Sequence, residues 1–236
     1  MELAINNSID IYSLCHWRHQ LFLLVPDGPF RRASQKFEFN AVSKVFKSSK
    51  FRSAAFGYFG HMWELYTFWA FVPVILASYQ TNNPQTAINI PLLSFIIIGS
   101  GGIACTLSGH LAEKSSPAKV ASNSLLLSFL CCLSSPIFFN LASLPLFLLF
   151  LLFWGAVVVA DSPLLSTLVA QNTIPEKKGT ALTIVNCIGY AITILSIQLT
   201  SLALLKLDSF FVYMILSIGP AIGLINLSKI TISERV

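Results

Sequence analysis

Six stretches of this chain stay apolar for about the length of a membrane-crossing helix, at residues 53–77, 88–112, 120–139, 144–170, 180–205 and 210–228. A hydrocarbon core of roughly 30 Å takes about 20 helical residues to cross. The runs are continuously apolar, whereas a membrane barrel would show segments of about ten residues alternating in and out, so the pattern predicts helices. The expected fold is an all-α membrane protein, a bundle of six transmembrane helices. Across all six stretches the only Asp, Glu, Lys or Arg residues are Glu64 and Asp161.

Composition points the same way: 55% of residues are hydrophobic and 11% charged, and the mean hydropathy is +0.72, outside the range of an ordinary soluble domain. A net charge of +5 raises the question of nucleic acid, but the basic residues form no folded face with aromatic readers. They follow topology instead. Arg31, Arg32, Lys36, Lys44, Lys47, Lys50 and Arg52 precede the first run, and Lys114 with Lys119, Lys177 with Lys178, and Lys229 with Arg235 occupy every second connection after it. The opposite connections, 78–87, 140–143 and 206–209, contain one basic residue, Lys206. By the positive-inside rule the 26–52 segment and the C-terminus are cytoplasmic. Cys15, Cys105, Cys131, Cys132 and Cys187 show no metal-ligand or redox spacing, and the adjacent pair reads as small apolar packing residues. No metal or cofactor is expected.

The chain divides into an atypical N-terminal segment at 1–25, a basic cytoplasmic linker at 26–52 and the six-helix region at 53–236. In the first segment residues 21–25 are apolar, but Asp10, His16, Arg18 and His19 interrupt anything long enough to span, and no cleavable signal pattern is evident. In the linker, Phe37, Phe39, Val42, Val45 and Phe46 alternate with basic residues over 33–50. That pattern suits a short amphipathic helix at headgroup level, or a plain basic connection.

The chemistry concentrates on two acids. Tyr58, His61, Glu64, Leu65 and Phe68 are related by steps of three or four and share one side of the first helix. His61 and Glu64 can therefore act together. A carboxyl facing lipid would cost at least ~2.5 kcal/mol, so Glu64 is expected to face the bundle interior or a water-filled cavity, as a proton-binding group or as a hydrogen-bonded packing residue. Asp161 stands in Trp154-Gly-Ala-Val-Val-Val-Ala-Asp161-Ser-Pro163. Pro163 has no N–H and obstructs the carbonyl of Val159, which predicts a kink beside the acid. At ~1.5 Å per residue both acids lie roughly 15 to 18 Å from the cytoplasmic boundary, near the midplane. Nothing resembles a catalytic nucleophile or a phosphate loop, so enzyme chemistry is not expected.

The connection Gly109-His-Leu-Ala-Glu-Lys-Ser-Ser-Pro-Ala-Lys119 resembles the Gly-x-Leu-Ala-Asp-Arg loop of the major facilitator superfamily, with Gly109, Leu111, Ala112, Glu113 and Lys114 in matching places. Glu replaces Asp, the second glycine is absent and the closing basic pair is reduced to Lys119. Glu176-Lys-Lys-Gly179-Thr-Ala181 resembles that family's approach to its eleventh helix, and Gly57-Tyr-Phe-Gly60-His-Met-Trp-Glu64-Leu-Tyr66 resembles its seventh helix in a bacterial branch. The resemblance covers residues 26–236 and implies the C-terminal six-helix half of a twelve-helix transporter. Its seventh and tenth helices, which line the central cavity, would be those bearing Glu64 and Asp161.

What the resemblance implies is transmembrane transport of a small solute by alternating access. Glu64, assisted by His61, would be the proton-coupling carboxyl and Asp161 a second proton or cation partner, in a bacterial inner membrane. Residues 1–25 do not supply six further helices. The expectation is therefore a truncated or split gene product that is inactive alone, a half that pairs with a separately encoded N-terminal half, or a second copy completing the cavity. The competing class is a non-transporting membrane interaction or scaffold protein in which the acids are structural.

Overall fold

The longest helix is also the least exposed. Helix α1, Ser49–Asn82, has 34 residues, of which 19 are buried, and at 1.5 Å per residue it is about 50 Å long. It starts where Ser48 accepts a hydrogen bond from the backbone N–H of Phe51 at 3.4 Å, an N-cap. Arg52 Nη1 folds back to donate to the carbonyls of Phe46 and Lys47 at 2.8 and 2.9 Å. Around α1 stand α2 (Ile90–Lys114), α3 (Pro117–Leu141), α4 (Leu144–Ala160), α5 (Ser162–Gln171) and α6 (Lys178–Leu204). The short α7 (Ser209–Val212) leads through a 3₁₀ segment, Tyr213–Ser217, into α8 (Ile218–Ser233).

This computed structural model describes residues 19–20, 23–24 and 45–233, with 142 and 208 omitted. The chain forms two units, Met1–Phe37 and Glu38–Val236. In the first unit only 19–20 and 23–24 are described, and both pairs are helical. Helices α1 to α8 all belong to the second unit. The expected amphipathic helix at 33–50 lies outside the described residues except for its end, where Val45 is buried and belongs to the apolar cluster that includes Phe51 and Ala54.

Among the described residues there is no strand, and five helices are long and apolar enough to cross a membrane: Ile90–Lys114, Pro117–Asn140, Leu144–Gln171, Pro175–Leu204 and Tyr213–Ile230. By composition this is a multi-pass membrane protein. The first of the six expected runs is not in that set. It is the segment now seen as α1, and His61, Trp63, Glu64, Tyr66 and Thr67 dilute its apolar character. The reason is positional. In lipid the surrounding helices must be apolar outside, while the central helix is shielded by its neighbours and can carry the polar groups.

Small residues permit the closest approaches. Gly60 of α1 faces Gly219 and Gly223 of α8, and a Cβ at Gly60 would overlap the Gly219 carbonyl oxygen. Gly219 and Gly223 stand four apart, the spacing that lets two membrane helices touch backbone to backbone. On the other side of the bundle, Gly155 of α4 lies where a Cβ would come 2.6 Å from the Ile97 carbonyl oxygen of α2.

Between α1 and α6 the contact is made by hydroxyls. Thr193 donates to the Met62 carbonyl at 3.1 Å, Ser196 donates to the Trp63 carbonyl at 2.7 Å, and Thr67 donates to Ser196 at 2.8 Å. Such bonds average about 0.6 kcal/mol each in a membrane bundle, so they align helices more than they hold them.

Candidate functional site

The buried apolar side chains fall into two clusters, and the charged residues lie between them. On α1 one cluster extends from Phe51 to Met62 and the other from Leu65 to Tyr79. On the α4–α5 pair the change falls between Val159 and Leu164. His61, Glu64 and Asp161 sit at these junctions, all with about 1% of their surface exposed. They form a thin polar layer across the middle of the bundle. The similar depth expected for the two acids corresponds to this shared level.

Glu64 points toward α3 and α4. Its Oε1 accepts three hydrogen bonds, from Ser128 Oγ at 2.5 Å, Trp154 Nε1 at 2.8 Å and Cys132 Sγ at 3.1 Å. Ser128 and Cys132 are four residues apart on α3 and so present their donors on one face. Trp154 is fully buried and its indole packs 4.7 Å from the Phe68 ring, fixing the N–H direction. One oxygen thus ties three helices together.

His61 does not share those partners. Its Nδ1 lies 2.9 Å from Asp161 Oδ1. The ring N–H is not aligned along that line, since Oδ1 gains no hydrogen bond by direction as well as distance, and the contact is electrostatic in kind. His61 Nε2 is buried with no hydrogen-bond partner among the described residues. The imidazole expected to assist Glu64 is paired in the structure with the other acid, while Glu64 and Asp161 remain within electrostatic reach of each other.

Asp161 owes its position to a break in the chain. It separates α4 from α5 as a single turn residue whose backbone stays right-handed helical, φ −83° and ψ −15°, so the break is local within a 28-residue span, Leu144–Gln171. Pro163 follows two residues later and supplies no N–H to Val159, the carbonyl it would otherwise satisfy. Cys105 of α2 donates its Sγ–H to that carbonyl at 3.4 Å. The Asp161 backbone N–H also points to the Val159 carbonyl, so the turn, the proline and the sulfur contact meet at one carbonyl.

The α1–α6 seam carries a further polar feature. Tyr66 and Tyr190 hydroxyls are 3.2 Å apart, and Trp69 lies edge-on to Tyr66 with centroids 5.4 Å apart. Tyr190 is 51% exposed, about 12 residues along α6 from Lys178, or roughly 18 Å. Tyrosines favour the headgroup level of a membrane. A pair this deep marks a face better suited to water or protein than to lipid.

The loop motif lies elsewhere. Gly109 has open space where a Cβ would be, and Glu113 and His110 are 78% and 70% exposed with Nδ1 and Oε2 at 3.7 Å. Lys114 ends α2 beside them. These residues touch none of the buried acids.

Sequence reasoning did not single out Ser128, Cys132 or Trp154 as site residues. The signal was present on α3: Ser124, Ser128, Cys132 and Ser135 recur at steps of four, four and three, and all four are buried. In sequence, the chain matches no protein-family model and no curated protein.

Proposed function

We propose that this chain is one half of an alternating-access transporter that moves a small solute across a membrane with proton coupling, in the manner of the C-terminal half of a major facilitator protein. The observation that carries the reading is the His61–Asp161 pair at the α4–α5 break. Buried ionisable groups in a membrane bundle are commonly proton relays, and interrupted helices at mid-depth are where transporters place ions and substrates. In this reading His61 and Asp161 exchange the coupling proton, Glu64 lines the same layer, and the exposed Tyr66–Tyr190 face belongs to the solute cavity. The opposite wall comes from an N-terminal half or from a second copy. The low burial of α6 and α2, 28% and 17% of their most apolar windows, suits such a partner. The placement is a bacterial inner membrane with the basic connections and C-terminus cytoplasmic.

The test is solute-driven proton uptake in liposomes, with the chain alone and with an N-terminal half. Asp161→Asn and His61→Gln should abolish coupled uptake while the protein stays folded, and Glu64→Gln should impair it. Undiminished coupling in Asp161→Asn and His61→Gln would remove the basis of the proposal.

One observation favours a second reading, a non-transporting interaction or scaffold protein. Glu64 Oε1 is saturated by three neutral donors, the environment of a structural clamp. Retained bundle stability with no flux under any partner condition would favour it.

A further inference from the structure

A lateral groove opens where α1, α6 and α8 meet, on a surface separate from the tyrosine pair. Gly60 and Gly219 lie at its floor, where the two backbones meet, and its walls include Phe56, Trp63, Leu195 and Ile222. The volume is ≈ 260 Å³, many times one water's share of about 30 Å³. Every lining residue is apolar or glycine, so ordered water has nothing to bond there. Leu195 lies five residues beyond Tyr190, about 140° around α6, which turns the groove away from the tyrosine face.

One end of the groove is basic. Arg52 stands one turn before Phe56 on the same side of α1, and Lys229 stands seven residues after Ile222 on the same side of α8. Both are exposed. They reach the same end of the bundle because α8 runs back along α1: Leu227 meets Gly57, and Ile230 joins the cluster containing Phe51 and Ala54. The bonds of Arg52 to Phe46 and Lys47 use Nη1 alone, out of the five donors of a guanidinium. Along α1 and α8, among the described residues, the sole acid is Glu64, which is turned to α3 and α4.

The dimensions match one leaflet of a bilayer. From Arg52 to Trp63 is 11 residues, or about 16 Å along the helix, close to half of a hydrocarbon core of about 30 Å. An apolar groove with two cations beyond its end, about 6 Å past Phe56 on α1 and about 10 Å past Ile222 on α8, is complementary to a lipid with a negative headgroup. We propose that this groove is a binding site for an anionic phospholipid, one acyl chain lying against Gly60 and Gly219 and the phosphate held by Arg52 and Lys229.

Trp63 provides the readout, since brominated acyl chains quench an indole they touch. The full chain is placed in bilayers of phosphatidylcholine and phosphatidylglycerol in which only one lipid is brominated, and the Trp63 signal is taken as the difference between wild type and Trp63→Phe. At equal mole fraction, brominated phosphatidylglycerol is expected to quench with higher apparent affinity than brominated phosphatidylcholine, by about fivefold per basic side chain. Arg52→Ala with Lys229→Ala should remove the preference and leave quenching by phosphatidylcholine intact. Leu195→Phe, which narrows the groove from its exposed wall, should weaken both. Equal quenching by the two lipids, or a preference untouched by the double substitution, would overturn the proposal. So would quenching that falls as protein concentration rises together with disulfide crosslinking between copies of Leu195→Cys, which would assign the groove to a second chain.

Discussion

Glu64 and Asp161 are acids at one level of one bundle, but only one of them is closed off. Glu64 sits in mid-helix among three neutral donors from two other helices. Asp161 sits at a helix break with His61 Nδ1 2.9 Å away and Glu64 within electrostatic reach, and the second nitrogen of His61 is unpartnered among the described residues. A carboxyl ringed by neutral donors on a continuous helix has little to gain by changing its contacts. A carboxyl beside an imidazole that has an unpartnered nitrogen, on backbone where Pro163 supplies no N–H, is held by fewer fixed contacts. Burial is therefore a poor guide to role here, because both residues are equally buried, and the identity of the donors separates them.

That contrast can be broken most forcefully by stripping one partner from the pair. His61→Leu leaves a buried acid without its counterpart and should destabilise the bundle by about 3–5 kcal/mol, while His61→Leu with Asp161→Leu should recover most of that loss. Unfolding in graded detergent mixtures measures both, and additive losses would show that the two side chains do not interact. A smaller effect is expected at the clamp. Glu64→Ala leaves Ser128, Cys132 and Trp154 without their acceptor and should cost roughly 2–3 kcal/mol, whereas Glu64→Gln retains an acceptor oxygen and should stay within about 1 kcal/mol of wild type. If Glu64→Gln were as damaging as Glu64→Ala, charge rather than acceptance would be what the clamp requires. Smallest of all, Cys105→Ala removes the Sγ contact at Val159 and should lower stability by about 0.5 kcal/mol or less. Its sharper readout is faster amide exchange around 159–163, confined to the break.

The helical architecture was legible because the lipid environment imposes it on each segment separately: unbroken apolar runs, basic residues in alternate connections, and two acids that had to turn inward. Pro163 likewise announced the interruption at Asp161. What could not be read was pairing between helices. His61 and Glu64 share a side of α1, yet three residues on a helix still point about 60° apart, and that angle sends one to the α4–α5 junction and the other to α3 and α4. Sequence periodicity reports which residues are neighbours on a helix and carries no information on which neighbouring helix each will meet. The donors to Glu64 were hidden for a related reason. Serine, cysteine and tryptophan are common in membrane spans, and only their recurrence along α3 distinguished Ser128 and Cys132 from ordinary packing.

The meeting of Gly60 with Gly219 has a consequence for how the protein is made. Roughly 160 residues separate the two glycines, and at about 5–20 residues per second synthesis of that interval takes roughly 8–30 s. For that time α1 has been translated while its most intimate neighbour does not yet exist, and Glu64 waits a shorter but similar interval for Ser128 and Trp154. The least apolar helix of the bundle is thus the one whose closest neighbour is made last.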